Sequence, residues 1–175
     1  MTDIFLIRTF TPPLTLVDVG MMFTESSGCM ELYNISWKES YLKDDGRRML
    51  CRFSAPDTDS LRMMLSRVNS SYEAIWPGTV HEAVASRHAN VVVERSFNQS
   101  TSVAALQRIE NEGAWCLEMY NVNFIRTYFS ADQKQMLCLY RAPDAESVRQ
   151  AQRKAKMPLT RVWSGRHLTP ENLEL

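Results

Sequence analysis

Aromatic and ionisable side chains alternate along two stretches of the sequence that could form a ligand site. Every second residue of a β-strand points to the same face, so each stretch is predicted to present its trio on one face. Such a face suits a pocket in which a few polar groups orient a mostly apolar ligand. The predicted ligand-binding residues are Trp37, Glu39 and Tyr41 in the first stretch, and Phe124, Arg126 and Tyr128 in the second.

Charged residues at equivalent positions of the two stretches have two interpretations. Glu39 and Arg126 carry opposite charges, and they form either an ion pair between the two halves or part of a ligand site. Arg8 and Arg95 are the same residue in both halves, which fits either contact with an anionic ligand or bonds to the chain's own carboxylates. Glu94 and Glu39 are the candidate catalytic bases, with Arg95 or Arg126 stabilising a developing anion.

Metal ligands and reactive thiols are sparse. Of the three histidines, His81 and His167 lie near the ends of the last predicted strand of each half. They are weak candidates for a metal site, because exposed strand-end histidines are the simpler interpretation. The four cysteines occur as two equivalent pairs without a C-x-x-C spacing. They are predicted to be buried thiols and not disulfides or nucleophiles.

The elements that position these residues occur twice, because the sequence contains an internal repeat. Residues 87 positions apart correspond, as Cys29-Met-Glu31-Leu-Tyr33-Asn34 and Cys116-Leu-Glu118-Met-Tyr120-Asn121 show. Each copy contains a strand, a helical stripe, two strands joined by a polar turn, a helix after Ala-Pro-Asp, and a final strand with a tryptophan. This order predicts an α+β fold in which two ferredoxin-like β-α-β-β-α-β repeats pack as a single-chain pseudo-dimeric α+β barrel.

The same correspondence predicts the domain organisation. The first repeat is predicted to span residues 1–81 and the second residues 91–168, with a linker at 82–90 and a polar tail at 169–175. The linker is short, so the repeats are expected to form an intramolecular pseudo-dimer. The sequence gives no indication of further oligomerisation.

Composition excludes several classes of partner. Lysine plus arginine equals aspartate plus glutamate at 20 each, whereas a nucleic-acid-binding protein normally carries an excess of basic residues. No apolar run approaches the length of about 20 residues that a membrane span needs. The first residues lack the pattern of a secretory signal, so the expected compartment is the cytoplasm.

The second copy carries short motifs at characteristic spacing. Cys116 and Tyr128 precede the run Cys138-Leu-Tyr140-Arg-Ala142-Pro143-Asp144, and Cys29, Tyr41, Cys51 and Ala55-Pro56 follow the same order in the first copy. In these motifs the chain resembles a family of small ferredoxin-like proteins catalogued as a domain of unknown function, some members of which are described as nickel-binding.

The resemblance also shows where this chain departs from the family. Many members carry one histidine before the second-strand tyrosine and another on the later helix. Those positions are occupied by Glu39 and Arg126 on the strands and by Met64 and Ala151 on the helices. Nickel favours imidazole nitrogen, so the replacement of these residues argues against nickel, and the cofactor is not identified.

Two hypotheses about function follow, and they leave open whether the protein is an enzyme. The first is a cytoplasmic protein that binds a small ligand or a metal ion between its two repeats. The alternative is an enzyme similar to cofactor-free oxygenases or isomerases, in which a Glu/Arg pair acts in the barrel cavity. A third class, a scaffold that binds another protein through its outer surface, would require a large exposed apolar patch.

Overall fold

The β-α-β-β-α-β order occurs twice in the computed structural model of the chain, which describes residues 1–84 and 87–173. The first repeat contains β1 (Thr2–Thr9), α1 (Leu16–Leu32), β2 (Ser36–Lys43), β3 (Arg48–Ala55), α2 (Thr58–Arg67) and β4 (Ala74–Glu82). The second contains β5 (Val91–Ser96), α3 (Val103–Glu112), α4 (Ala114–Met119), β6 (Asn123–Ser130), β7 (Gln135–Arg141), α5 (Ala145–Lys154) and β8 (Arg161–Leu168). The predicted α+β class and the repeated ferredoxin-like order are confirmed.

Side-chain caps fix where the later helix of each repeat begins. Asp57 accepts a hydrogen bond from the backbone N–H of Ser60 at 2.7 Å, and Asp144 accepts one from Ser147 at the same distance. These bonds satisfy N–H groups that have no partner within the first turn of a helix. The Ala-Pro-Asp motif therefore starts α2 and α5 as the sequence predicts.

The earlier helical stripe of the second repeat is divided into two helices at Gly113. Gly113 ends α3 and precedes α4. A Cβ atom at this position would lie 2.6 Å from the Cβ of Ala155, which follows α5. The close approach therefore requires glycine. The equivalent residue of the first repeat, Ser26, lies inside the continuous helix α1.

The chain forms two compact units, Met1–Gly78 with Arg166–Leu175, and Thr79–Gly165. The strand order is β4-β1-β3-β2 in the first unit and β8-β5-β7-β6 in the second, and the neighbouring strands are antiparallel. The two units are defined by which residues pack together, whereas the repeats are defined by sequence similarity between the halves of the chain. The repeat boundaries at 1–81 and 91–168 stay predictions. The linker at 82–90 and the tail at 169–175 each include two residues that lie outside the described part of the chain.

One face of each sheet packs against the helices of its own unit. Every second residue of β1, such as Ile4 and Leu6, lies in this core together with Val19 of α1 and Leu61 of α2. In the second unit the equivalent core joins Val91 and Val93 to the helices, through residues such as Leu106 and Val148. Burying apolar area of this kind contributes about 25 cal/mol per Å² and is the main stabilising term of each unit. None of the described helices is long and apolar enough to cross a membrane.

A β-bulge in the second strand of each repeat corrects the prediction that its aromatic and ionisable residues share one face. Trp37 pairs with Phe53, but Glu39 already pairs with Arg52, so one extra residue is inserted in β2. A bulge of this kind reverses the alternation of side chains beyond it. Trp37 therefore joins the helix-facing core, whereas Glu39 and Tyr41 lie on the opposite face.

The second repeat repeats this irregularity. Its bulge lies between Phe124 and Arg126. Phe124 packs against the helix-facing core, and its ring lies 5.7 Å from that of Tyr140. Arg126 and Tyr128 pair with residues of the opposite face. The predicted trios are thus divided between two faces in both repeats.

Candidate functional site

Arg8 lies on β1 with its side chain on the helix-facing side of the first sheet. Its Nε donates to the carbonyl of Ser71 at 3.3 Å, its Nη1 lies 3.0 Å from the sulfur of Met22, and its guanidinium lies over the ring of Phe10. No carboxylate of the described residues forms an ion pair with it. Burial lowers the pKa of Arg8, but an arginine keeps its charge in proteins. Within the described part of the chain, Arg8 is therefore a half-buried cation without a counter-ion.

Arg95 is the equivalent residue of the second repeat, and its surroundings are different. It is 1% exposed, and it donates to Gln152 Oε1 at 2.7 Å, to the hydroxyl of Tyr140 at 3.2 Å and to the carbonyl of Pro158 at 2.5 Å. The Tyr140 hydroxyl in turn donates to Glu110 Oε1 at 2.9 Å. Burial raises the pKa of the Glu110 carboxyl, and the bond from Tyr140 and the charge of Arg95 offset only part of that effect. The second repeat thus supplies partners for both terminal nitrogens of its arginine, whereas Nε of Arg95 has none among the described residues.

The first repeat keeps the backbone partner of this arginine and lacks the three polar side chains of its network, two that bond to Arg95 and one that bonds to Tyr140. Ser71 occupies the position of Pro158, and its carbonyl accepts from Arg8 just as that of Pro158 accepts from Arg95. The three polar side chains around Arg95 are replaced by apolar ones around Arg8. The replacements are Phe23 for Glu110, Phe53 for Tyr140, and Leu65 for Gln152.

Arg8 and its three apolar neighbours line a groove between α1 and α2 with a volume of about 260 Å³. We call it the Arg8 groove. Its apolar lining is completed by four methionines and a valine, and its polar lining comprises two carboxylates, an amide and two hydroxyls. The residues other than Arg8, Phe23, Phe53 and Leu65 are Met21, Met22, Met30, Met64, Val68, Asp18, Glu25, Asn69, Ser26 and Ser70.

The hydroxyl of Ser70 adds a second polar atom without a partner in the Arg8 groove. Its oxygen is buried and makes no hydrogen bond within the described residues. Buried polar atoms are nearly always hydrogen-bonded in folded proteins, so such an exception needs an explanation. A second cavity of about 400 Å³ also includes Arg8, Asp18, Asn69 and Ser70 in its lining. Both cavities therefore include Arg8 and Ser70 in their lining.

The opposite face of the first sheet carries a chain of ion pairs. Asp3 accepts from Arg52 Nε at 2.8 Å, Arg52 Nη1 donates to Glu39 Oε1 at 3.2 Å, and the other oxygen of Glu39 lies 2.8 Å from His167 Nε2. The ring of His167 lies 4.8 Å from that of Tyr41. Glu39 is buried and His167 is partly buried. Of the predicted site residues, the structure thus brings together Glu39, Tyr41 and His167.

The opposite face of the second sheet does not reproduce this arrangement. Arg126 lies 3.9 Å from Glu82, and Tyr128 is fully buried. Glu94 accepts a hydrogen bond from Trp163 Nε1 at 3.2 Å. Because Glu94 and Arg95 are consecutive residues of β5, they point to opposite faces of the sheet. Glu94 and Arg95 therefore do not converge on one face, and the assignment of Glu94 or Glu39 as base with Arg95 or Arg126 as anion stabiliser stays a prediction.

The donor set for nickel is also incomplete. His81 bonds the hydroxyl of Thr79 at 2.8 Å, and His167 bonds Glu39. At the helix positions where the resemblance implies histidine, Met64 and Ala151 are buried in apolar cores. The described residues contain no group of three His, Cys, Asp or Glu side chains that could hold a metal ion. The residues present do not fit a nickel site.

The four cysteines are free. Cys51, Cys116 and Cys138 are buried as predicted, whereas Cys29 is half-buried. Burial raises the pKa of Cys51 to about 11, so its thiol stays protonated and unreactive at neutral pH.

The sequence prediction named Arg8 but missed the residues around it. Glu110, Tyr140 and Gln152 were not recognised as partners of Arg95, nor the four methionines as a lining for Arg8. Comparison of the two repeats contains the signal. At three equivalent positions around the arginine that both repeats share, the second repeat has a polar residue and the first has an apolar one. Finding it requires knowing which elements pack on that side of the sheet.

Comparison with solved structures supports the fold. A protein assigned as a chlorite dismutase, TA0507, is 12% identical, with 98% of this chain and 96% of that chain covered and a TM-score of 0.54. The likeness confirms the fold class, with two repeats of the dimeric α+β barrel type. A heme-binding protein from Thermus thermophilus is 10% identical over 99% of this chain and 95% of that chain, with a TM-score of 0.48. An anthrone oxidase-like protein is 9% identical over 95% and 92%, with a TM-score of 0.46.

Comparison of the sequences identifies the family. No curated protein matches the chain. The family described as nickel-responsive proteins similar to SCO4226 matches residues 5–77 and again residues 92–164. These two matches coincide with the two repeats and cover most of the 175 residues. The chain therefore belongs to the SCO4226-like family of nickel-responsive proteins, as a member with two copies of the family's domain.

Proposed function

We propose that this protein binds a small, negatively charged molecule in the Arg8 groove of its first repeat. The observation that carries the proposal is the contrast between the two equivalent arginines. Arg95 has three polar side chains within its network, whereas Arg8 has apolar residues at all three positions and no carboxylate partner among the described residues. A guanidinium that is desolvated without a counter-ion is costly to the fold, and an anionic ligand would offset that cost.

The groove also has the general properties of a ligand site. It combines an apolar lining with a few polar groups, of which Arg8 and Ser70 have unused hydrogen-bonding capacity. Of the residues predicted from the sequence, Arg8 belongs to this site. Glu39, Tyr41 and His167 lie on the other face of the sheet, where Glu39 is already bonded to Arg52 and His167.

The proposal does not require a metal or catalysis. The donor atoms of the described residues do not fit nickel, and the carboxylate of Glu94 and the guanidinium of Arg95 lie on opposite faces of β5. We therefore favour a binding protein over the enzyme similar to cofactor-free oxygenases.

Isothermal titration of the full chain with three different anions would test the proposal. Octanoate, benzoate and glycerol 3-phosphate sample an aliphatic, an aromatic and a polar body. At least one is expected to bind with one site per chain. Arg8→Met should lower its affinity at least tenfold, because a charge-assisted hydrogen bond contributes about 1.5–3 kcal/mol. The proposal is overturned if none of the three binds, or if the variant binds as well as the natural chain.

A second variant separates loss of binding from loss of folding. The double substitution Phe53→Tyr with Leu65→Gln gives Arg8 two of the partners that Arg95 has, while keeping Arg8 itself. The variant is expected to fold and to lose most of its affinity, because the guanidinium is then satisfied within the protein. Unchanged affinity in a folded double variant would contradict the proposed site.

A further inference from the structure

We infer that the ligand of the Arg8 groove is an amphipathic monoanion with a flexible aliphatic tail, as in a medium-chain carboxylate or an alkyl sulfate. This inference rests on the proposed function and specifies the class of ligand. It follows from the charges near Arg8, where the charged end of the ligand would bind, from the apolar residues that line the groove, and from the volume of the groove.

The charges favour one negative charge on the ligand. Among the described residues that line the groove, Arg8 is the one cation, whereas Asp18 and Glu25 are both carboxylates. Asp18 accepts bonds from the backbone N–H and the hydroxyl of Thr15, and these bonds hold the pKa of Asp18 below its ordinary value. It is therefore ionised at neutral pH. With one cation and two carboxylates along the groove, a second negative charge on the ligand adds more repulsion than attraction.

The apolar lining favours a flexible tail. Met21, Met22, Met30 and Met64 contribute four unbranched thioether side chains to one groove. Methionine has three rotatable bonds and adapts to ligands of irregular shape, so surfaces rich in it bind flexible apolar groups. The aromatic residues of the lining are Phe23 and Phe53. The ring of Phe23 is already stacked on that of Trp37, with 3.8 Å between the ring centroids.

The volume limits the length of the tail. The groove holds about 260 Å³. If a methylene group occupies about as much space as a water molecule in the liquid, about 30 Å³, the groove accommodates roughly nine such groups. A carboxylate with about eight carbon atoms would fill it, with its charged end at Arg8 and Ser70.

The second repeat offers no equivalent site for this ligand among its described residues. The position of the head group is taken by the side chains that bind Arg95, and Arg95 itself is buried at 1% exposure. One molecule of ligand per chain is therefore expected, although the chain contains two repeats.

The test is a calorimetric series of straight-chain carboxylates from butanoate to decanoate on the full chain at pH 7.5. Affinity should rise about two- to fourfold with each methylene that becomes buried, and should level off near eight carbons. Octyl sulfate should bind as octanoate does, whereas octanol and octyl phosphate should bind at least fivefold more weakly. A flat series, or octyl phosphate binding more tightly than octyl sulfate, would overturn the inference.

Two methionines form a matched pair of variants for the tail. Met21 lines the groove and is 53% exposed, whereas Met63 lies outside it and is 54% exposed. Met21→Ser should weaken octanoate binding at least threefold and leave butanoate binding unchanged, and Met63→Ser should change neither. Equal effects of the two variants would overturn the inference. If short carboxylates bind through Arg8 without a chain-length effect, the proposed function stands and the inferred ligand class is wrong; if no anion binds, both are wrong.

Discussion

At the scale of single residues, the chain shows that one side chain can have a structural role in one repeat and be available for binding in the other. Arg95 bonds to Gln152, Tyr140 and Pro158, and removing it would leave the buried Oε1 of Gln152 without the partner that it has in this network. Arg8 has only the carbonyl of Ser71 and weak contacts with Met22 and Phe10 among the described residues. Their contributions to stability should therefore differ.

Substituting each arginine by methionine measures that difference. Arg95→Met is expected to lower the free energy of unfolding by about 3 kcal/mol or more, because a buried network loses its cation and leaves Glu110 uncompensated. Arg8→Met should change it by less than about 1 kcal/mol, because the removed cation has no counter-ion in the described part of the chain. Urea denaturation followed by circular dichroism gives both values. Equal losses would show that Arg8 is a structural residue, which would contradict its assignment to a binding site.

At the scale of elements, bulges in strands and a break in a helix determine which side chains lie on the same face. The bulges in β2 and β6 move Trp37 and Phe124 to the helix-facing side and leave Glu39 and Arg126 on the other. The break at Gly113 divides the helical stripe of the second repeat, because α3 and α4 pass close to Ala155. Neither feature changes the order of the elements.

Two glycine substitutions test the packing at this break. Gly113→Ala is expected to destabilise the fold by about 1–3 kcal/mol, because its Cβ would lie 2.6 Å from that of Ala155 and the core would be overpacked. Gly28→Ala provides the control. Gly28 lies in α1 with nothing within 4 Å of the added atom. This substitution should stabilise the protein by about 0.5–1 kcal/mol, because alanine favours helix. Thermal unfolding of both variants measures the shifts, and a stable Gly113→Ala variant would contradict the close packing.

At the scale of the whole molecule, the fold was more predictable from the sequence than the site. The repeat places turn and cap residues, such as Asp57 and Asp144, at the same positions twice, and these local signals act within a few residues. The network around Arg95 joins β5, α3, β7 and α5, which are far apart in the sequence. Its members become neighbours only through tertiary packing, so periodicity along the chain could not identify them. The bulges were missed because one inserted residue leaves no clear compositional signal.

At the scale of the whole molecule, the effect of Ni²⁺ on thermal stability tests whether this member of a nickel-responsive family binds the metal. A ligand at a hundred times its dissociation constant stabilises the folded protein by about 2.7 kcal/mol. Because the described residues provide no group of three metal-ligating side chains, Ni²⁺ should raise the Tm of the untagged protein no more than Mg²⁺ does. Thermal unfolding after treatment with EDTA, with each metal then added back, makes the comparison. A rise of several degrees that is specific to Ni²⁺ would show that the donor set was judged wrongly.

The difference between Phe23 and Glu110, at equivalent positions beside the two arginines, also shows what joining two repeats in one chain makes possible. In a symmetric homodimer of single repeats, every substitution appears in both subunits. Such a dimer could not keep the Arg95 network in one copy while opening a groove beside the arginine of the other. In one chain the two copies can differ, so a substitution that opens the Arg8 groove leaves the stabilising network around Arg95 unchanged.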